Sequence, residues 1–179
     1  MSYGQTVRRG GDYNRLAEPS WADPLDTSYS RHEGGRWTAT GVFGALYLNR
    51  DVRMARLQVH HKLADYPYDV EDLDPSEQHD LVEVQVDDCD PLDCVTADGL
   101  QAVGLTDQYP LDSRGDPVTH AVCRDIAVEA YKANRPGVAC HSAAADATSS
   151  DEELAVFDRD AGLVRQTARQ PFSDWYLGA

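Results

Sequence analysis

The stretch GGRWTATGVFGALYLNRDVRMARLQV, residues 34–59, decides the fold. Its apolar run from Gly41 ends in β-prone residues, which predicts a strand around residues 45–48. Val52, Ala55, Val59 and Leu63 then recur at three- and four-residue steps, the spacing of one helix face. Asp51 stands where an N-cap belongs, and Pro67 lies beyond the end. Ahead of the strand, Gly34 and Gly35 allow backbone N–H groups to come close to a ligand. Arg36 adds a fork of donors suited to a phosphate pair. Tyr47 offers an aromatic face to a flat ring. The same residues also fit a plain tight turn with a surface arginine and two packed aromatics.

Working outward, LVEVQV (residues 81–86) alternates apolar and polar side chains, the pattern of a half-buried strand. THAVCRDIAVEAYKAN (residues 119–134) reads as a helix capped by Thr119. VACHS (138–142) and ELAVFD (153–158) read as short strands, and a further short strand is expected after the acidic turn DDCDP. Pro75 breaks the charged segment 71–80, and residues 107–118 carry two prolines and a glycine, so both are loops. Residues 13–37 read as irregular structure packed on a core. Residues 1–12 read as a loose N-terminus, leaving one compact domain over 13–179. Helices and strands mixed in this order give an α+β class.

Sixteen Lys and Arg face thirty-one Asp and Glu, a formal net charge of −15. Such a chain repels nucleic acid phosphates, so direct DNA or RNA binding is not expected. No apolar window approaches the ~18–20 residues of a spanning helix, and the N-terminus lacks the apolar stretch of a signal peptide. A cytoplasmic setting away from the membrane is therefore expected. Cys89, Cys94, Cys123 and Cys140 form no C-x-x-C pair, which argues for reduced thiols packed as small hydrophobes.

The central stretch resembles the signature of RES-domain proteins, in which G-R-W leads to a strand containing L-Y-L and then to a helix. The resemblance continues through NRLAEPSWADPLD (14–26), HAVCRDIAVEAYKANRPGVACHSAA (120–144) and ELAVFD, so it covers residues 14–158. It implies an ADP-ribosyltransferase-like fold of mixed sheets with flanking helices. It also implies degradation of NAD by water or inorganic phosphate, with no metal, in a toxin partnered by an antitoxin carrying an Xre-type helix-turn-helix domain. Self-association is left open. Position by position, Arg36 matches the signature arginine, Tyr47 the strand tyrosine and Ser142 the serine. Arg15 matches the early arginine, with Arg8 and Arg9 as alternatives farther from Gly35. By this resemblance Arg15 and Arg36 would hold the diphosphate, with Gly35 beside them. Tyr47 would pack on the nicotinamide-ribose end, and Ser142 would orient phosphate or ribose oxygens.

The chain departs from the pattern at Gln58, eleven residues after Tyr47, where the family has a glutamate. Cleaving nicotinamide from NAD leaves a ribosyl cation that a carboxylate stabilises. Glutamine keeps the hydrogen-bonding oxygen and loses the charge, which can cost ~3–4 kcal/mol in the transition state. Glu33, Glu71 and Glu83 are candidate substitutes. An attenuated or inactive nucleotide- or partner-binding module, and ADP-ribosyl transfer to another acceptor, are the alternatives. Three other groupings give less: His60-His61 lack the H-x-x-x-H spacing of a helical metal site. Asp87, Asp88, Asp90 and Asp93 lack a calcium-loop pattern. His141 and Ser142, being adjacent, are poorly placed as base and nucleophile.

Overall fold

The computed structural model describes residues 3–64, 66–144 and 146–178. In chain order its elements are β1 (Arg9–Ala17), α1 (Ser28–Glu33), β2 (Ala45–Asn49), α2 (Val52–Leu63), β3 (Asp80–Cys89), β4 (Leu92–Cys94), α3 (Ala97–Ala102), α4 (His120–Lys132), β5 (Gly137–His141), β6 (Glu152–Phe157) and β7 (Val164–Gln170). The strands form one seven-stranded sheet in the order β4-β5-β6-β2-β1-β3-β7. Only β4 and β5 run parallel, so the sheet is mixed and the domain is α+β.

The central stretch folds as its pattern predicts. Asp51 accepts a hydrogen bond from the Met54 N–H at 3.0 Å, closing the first turn of α2. Met54, Ala55 and Val59 form its buried face. Thr119 caps α4 in the same way, and Cys123, Ile126, Ala127 and Ala130 are its buried face.

Two apolar clusters sandwich the sheet. One face carries Trp37, Phe43, Ala45, Val138, Ala155 and Phe157 against α4. The other carries Tyr13, Leu46, Leu48, Val82, Val84 and Val156. A third, smaller cluster joins Ala55 and Val59 of α2 to Leu81, Phe172 and Trp175. The pairing of β2 with β6 puts Ala45 opposite Phe157, Tyr47 opposite Ala155 and Asn49 opposite Glu153. Because strand side chains alternate, these six share one face. Core packing at one end of that face thus fixes polar residues at the other.

The N-terminal segment differs from expectation. Residues 1 and 2 lie outside the described residues, but Arg9 already pairs with Cys89, and Thr6 bridges Leu92. Backbone pairing with β3, not apolar content, orders this segment, so a boundary at residue 13 falls inside β1. Residues 13–37 likewise contain the rest of β1 and the short α1.

All four cysteines are free and buried. Burial raises the Cys94 and Cys140 thiols well above their usual range, so both stay protonated and pack as apolar groups. No helix among the described residues is long and apolar enough to cross a membrane.

Candidate active site

The Gly34–Trp37 turn is locked from three sides. Gly34 ends α1 with φ +77°, a backbone state that glycine adopts without strain. Trp37 is fully buried, and its indole N–H donates to the Cys140 sulfur at 3.2 Å. The Tyr47 hydroxyl accepts from the Trp37 N–H at 3.0 Å and shares a hydrogen bond with Thr38 Oγ1 at 3.1 Å. That hydroxyl explains Gly35, since a Cβ there would lie 2.3 Å from it.

The glycine N–H groups are not left for a ligand. Gly34 donates to Ser30 and Gly35 to Thr38 within the turn, and the Gly35 carbonyl accepts from Arg124 at 2.8 Å. Gly35 therefore shapes the site through close packing. Tyr47 similarly contributes its ring to the cavity wall and spends its hydroxyl on the turn.

Two cavities flank this turn. Arg15, Leu16, Tyr29, Ser30, Gly34, Tyr47, Asn49 and Gln58 line one of about 250 Å³. Arg36, His141 and Ser142 line another of about 670 Å³, together with the loop carrying Tyr109 and Pro110. The larger alone lies within the ~300–1,000 Å³ of small-molecule sites. Five of the sequence-predicted residues thus face two neighbouring cavities.

Arg15 and Arg36 are the cations of the site, and neither forms an ion pair among the described residues. The Arg36 guanidinium donates to the Val118 carbonyl at 3.2 Å and lies 4.0 Å from the Cys123 sulfur. Arg15 is only 6% exposed, yet its Nε has no hydrogen-bond partner among the described residues. Its guanidinium lies over the Trp21 ring, 5.8 Å from the centroid. Burial lowers the Arg15 pKa to about 10, with Asp26 and Asp23 opposing that shift from a distance. A buried guanidinium that lacks acceptors is costly, and an anionic ligand would satisfy it. Arg8 points elsewhere and pairs with Asp88 and Asp90, and Arg9 grips Glu152.

Gln58 forms a closed amide pair with Asn49. Its Nε2 donates to Asn49 Oδ1 at 2.9 Å and its Oε1 accepts from Asn49 Nδ2 at 3.1 Å. Ser142 is buried, and its hydroxyl donates to Glu153 Oε1 at 2.5 Å while accepting from the Ala144 N–H at 3.1 Å.

Glu153 is the residue that sequence reasoning missed. Burial pushes its carboxyl above the usual range, and the Ser142 hydroxyl, Arg36 and the Gln58 amide pull it back. It lines neither cavity itself, but it is bonded to Ser142, which lines the larger, and lies beside Gln58, which lines the smaller. The available signal was an acid that opens ELAVF, in phase with Ala155 and Phe157, on a strand buried on both faces. The proposed substitutes lie elsewhere: Glu33 beside His32, Glu71 exposed in a turn, and Glu83 against Gln170. His60 and His61 face different cavities, and no group of three metal-ligating side chains occurs among the described residues.

A seven-stranded α+β domain thus places Arg15 and Arg36 at two neighbouring cavities, with the partly buried Glu153 bonded to the wall of one. The RES domain family model matches residues 12–175, and the chain belongs to that family. A chain in the crystal structure of the M. tuberculosis MbcT–MbcA toxin–antitoxin complex has a similar fold. It is 22% identical with a TM-score of 0.71, over 93% of this chain and 86% of that one. No curated protein matches the sequence.

Proposed function

We propose that this protein consumes NAD by cleaving the bond between nicotinamide and its ribose, as a toxin-type RES enzyme of the cytoplasm. The observation that carries this reading is Arg15, a buried cation whose Nε has no hydrogen-bond partner among the described residues and which lines one cavity with Tyr47 and Gln58. A diphosphate bound by Arg15 and Arg36 would gain charge-assisted hydrogen bonds worth ~1.5–3 kcal/mol each. Tyr47 would pack against the nicotinamide-ribose end, and the Gln58–Asn49 pair would present amide groups to ribose hydroxyls. Ser142, whose O–H is given to Glu153, would accept a hydrogen bond from a ribose hydroxyl. The acceptor of the ADP-ribosyl group is inorganic phosphate or water, giving a phosphorylase or a glycohydrolase, with no metal. RES membership and the toxin–antitoxin setting of the structural neighbour support a protein antitoxin as partner. By the family habit, that partner carries an Xre-type helix-turn-helix domain.

Mass spectrometry of NAD products, with and without phosphate, tests the reading. Nicotinamide with ADP-ribose 1″-phosphate marks the phosphorylase, and nicotinamide with ADP-ribose marks the glycohydrolase. Intact NAD under both conditions defeats the proposal. One observation favours a second reading, a nucleotide-binding module: the position of the family glutamate is held by an uncharged amide already paired to Asn49. Calorimetric NAD binding without any cleavage would select that module.

A further inference from the structure

The proposed cleavage needs a negative charge near C1′ of the ribose, and Gln58 has none to give. Glu153 has the charge, the position and the unmet electrostatics. Its backbone stands in register opposite Asn49 on one side and Cys140 on the other. Strand alternation therefore turns its side chain to the face that carries Tyr47 and Asn49. Its carboxylate accepts the Ser142 hydroxyl at 2.5 Å. No lysine or arginine forms an ion pair with it among the described residues, although Arg36 acts on it from a distance. A carboxylate so enclosed and so lightly paired gains most when a cation forms beside it.

We propose that Glu153 is the catalytic carboxylate of this chain: it stabilises the ribosyl cation from β6, while Gln58, pinned by Asn49, only holds a ribose hydroxyl. The inference rests on the NAD-cleavage reading above. In the step, the C1′–N bond breaks and its electron pair leaves with nicotinamide, which departs neutral. The cation left on the ribose faces Glu153 until an oxygen lone pair of phosphate or water forms the new C1′–O bond. With water, one proton is lost, and Glu153 can accept it. With hydrogen phosphate, its proton can remain on the product. Ser142 acts as a positioning residue that orients the carboxylate.

The test compares nicotinamide release, NAD affinity and melting temperature across pH for four proteins: the natural chain, Glu153→Gln, Gln58→Glu, and the double variant. Glu153→Gln is expected to lower kcat ~100- to 1000-fold. NAD affinity should stay within about threefold, the signature of an interaction made in the transition state. The natural chain should lose activity as pH falls through a carboxyl pKa raised by burial, and Glu153→Gln should lack that acid limb. The double variant returns a carboxylate to the same space from α2 and should recover at least about tenfold over Glu153→Gln. If Glu153→Gln fails to fold, Glu153→Asp takes its place, and it must keep the acid limb at reduced kcat. An unchanged kcat in Glu153→Gln overturns the assignment, as does an Asp variant without an acid limb. Absence of nicotinamide release from the natural chain would instead defeat the NAD-cleavage reading itself, and this inference with it.

Discussion

The arginines of the outer surface and those of the cleft live under opposite rules. Arg9 binds both oxygens of Glu152 at 2.8 Å, Arg169 meets Asp80 at 2.6 Å, and Arg165 meets Asp87 at 2.7 Å. With thirty-one acidic residues for sixteen basic ones, a carboxylate partner is easy to find. Arg15 and Arg36 nevertheless go without one among the described residues, and the Arg15 Nε lacks a hydrogen-bond partner there. Among those residues Arg50, Arg56 and Arg124 also lack a carboxylate partner and donate to backbone carbonyls instead, so what sets Arg15 apart is burial. A nearly buried guanidinium whose Nε has no partner among the described residues carries a desolvation cost. Under the proposed function, an anion that arrives from outside offsets that cost.

The largest expected effect follows directly. Arg36→Ala should reduce nicotinamide release about 1000-fold or more, because the diphosphate loses a charged donor and the cleft loses its counterweight to Glu153. Steady-state release of nicotinamide measures it. Retained activity would mean that the cleft arginines are no different from surface ones.

Gly35→Ala comes next and probes the turn rather than the charge. The added methyl would meet the buried Tyr47 hydroxyl at 2.3 Å and Thr38 Oγ1 at 2.9 Å. Tyr47 cannot retreat without surrendering its bond to the Trp37 N–H. Chemical denaturation should show a loss of about 1–3 kcal/mol.

Arg15→Met separates stability from function. At neutral pH the buried guanidinium is charged, and burial has lowered its pKa to about 10. A cation with a depressed folded-state pKa weakens the fold at all pH values below that pKa. The penalty is relieved only as pH rises through about 10. Methionine keeps an unbranched apolar stem and removes the charge, so the ligand-free protein should gain about 1–2 kcal/mol. NAD affinity should fall about 10- to 100-fold. Thermal melts with and without NAD would show the variant melting higher alone and gaining less from the nucleotide.

How much of this was readable in the chain depends on where each element buries itself. β2, α2, β3 and α4 announce themselves because apolar residues recur at the period of a single packed face, with Asp51 and Thr119 as caps. β1 does not, because its inward positions include Arg15 beside Tyr13 and Ala17, and its first residues are glycines and polar groups. β7, VRQTARQ, is a sheet edge on which Val164 alone is buried, so no apolar pattern marks it. α1 and α3 are six residues long, too short for a period. Local motifs pointed to Arg36, Tyr47 and Ser142, which the fold places on the walls of the two cavities. Glu153 was hidden because its role arises from strand register: Asn49, Cys140 and Glu153 become neighbours only when β5, β6 and β2 pair.

The smallest effect belongs to the surface, where the comparison can be broken most cleanly. The Arg165–Asp87 pair is 59% and 48% exposed at the side chains. Water and salt screen such a pair, and holding two long side chains together costs rotamer freedom. Arg165→Ala should therefore change stability by about 0–1 kcal/mol, with the difference shrinking further at high salt. It should leave NAD affinity where it was, since Arg165 on β7 lines neither cavity. Isothermal titration of this variant beside Arg15→Met puts the two classes of arginine on one scale. If removing a paired surface arginine weakened NAD binding as much as removing the unpaired buried one, the nucleotide would be responding to overall charge. The cleft would then lose its claim to be a built anion site.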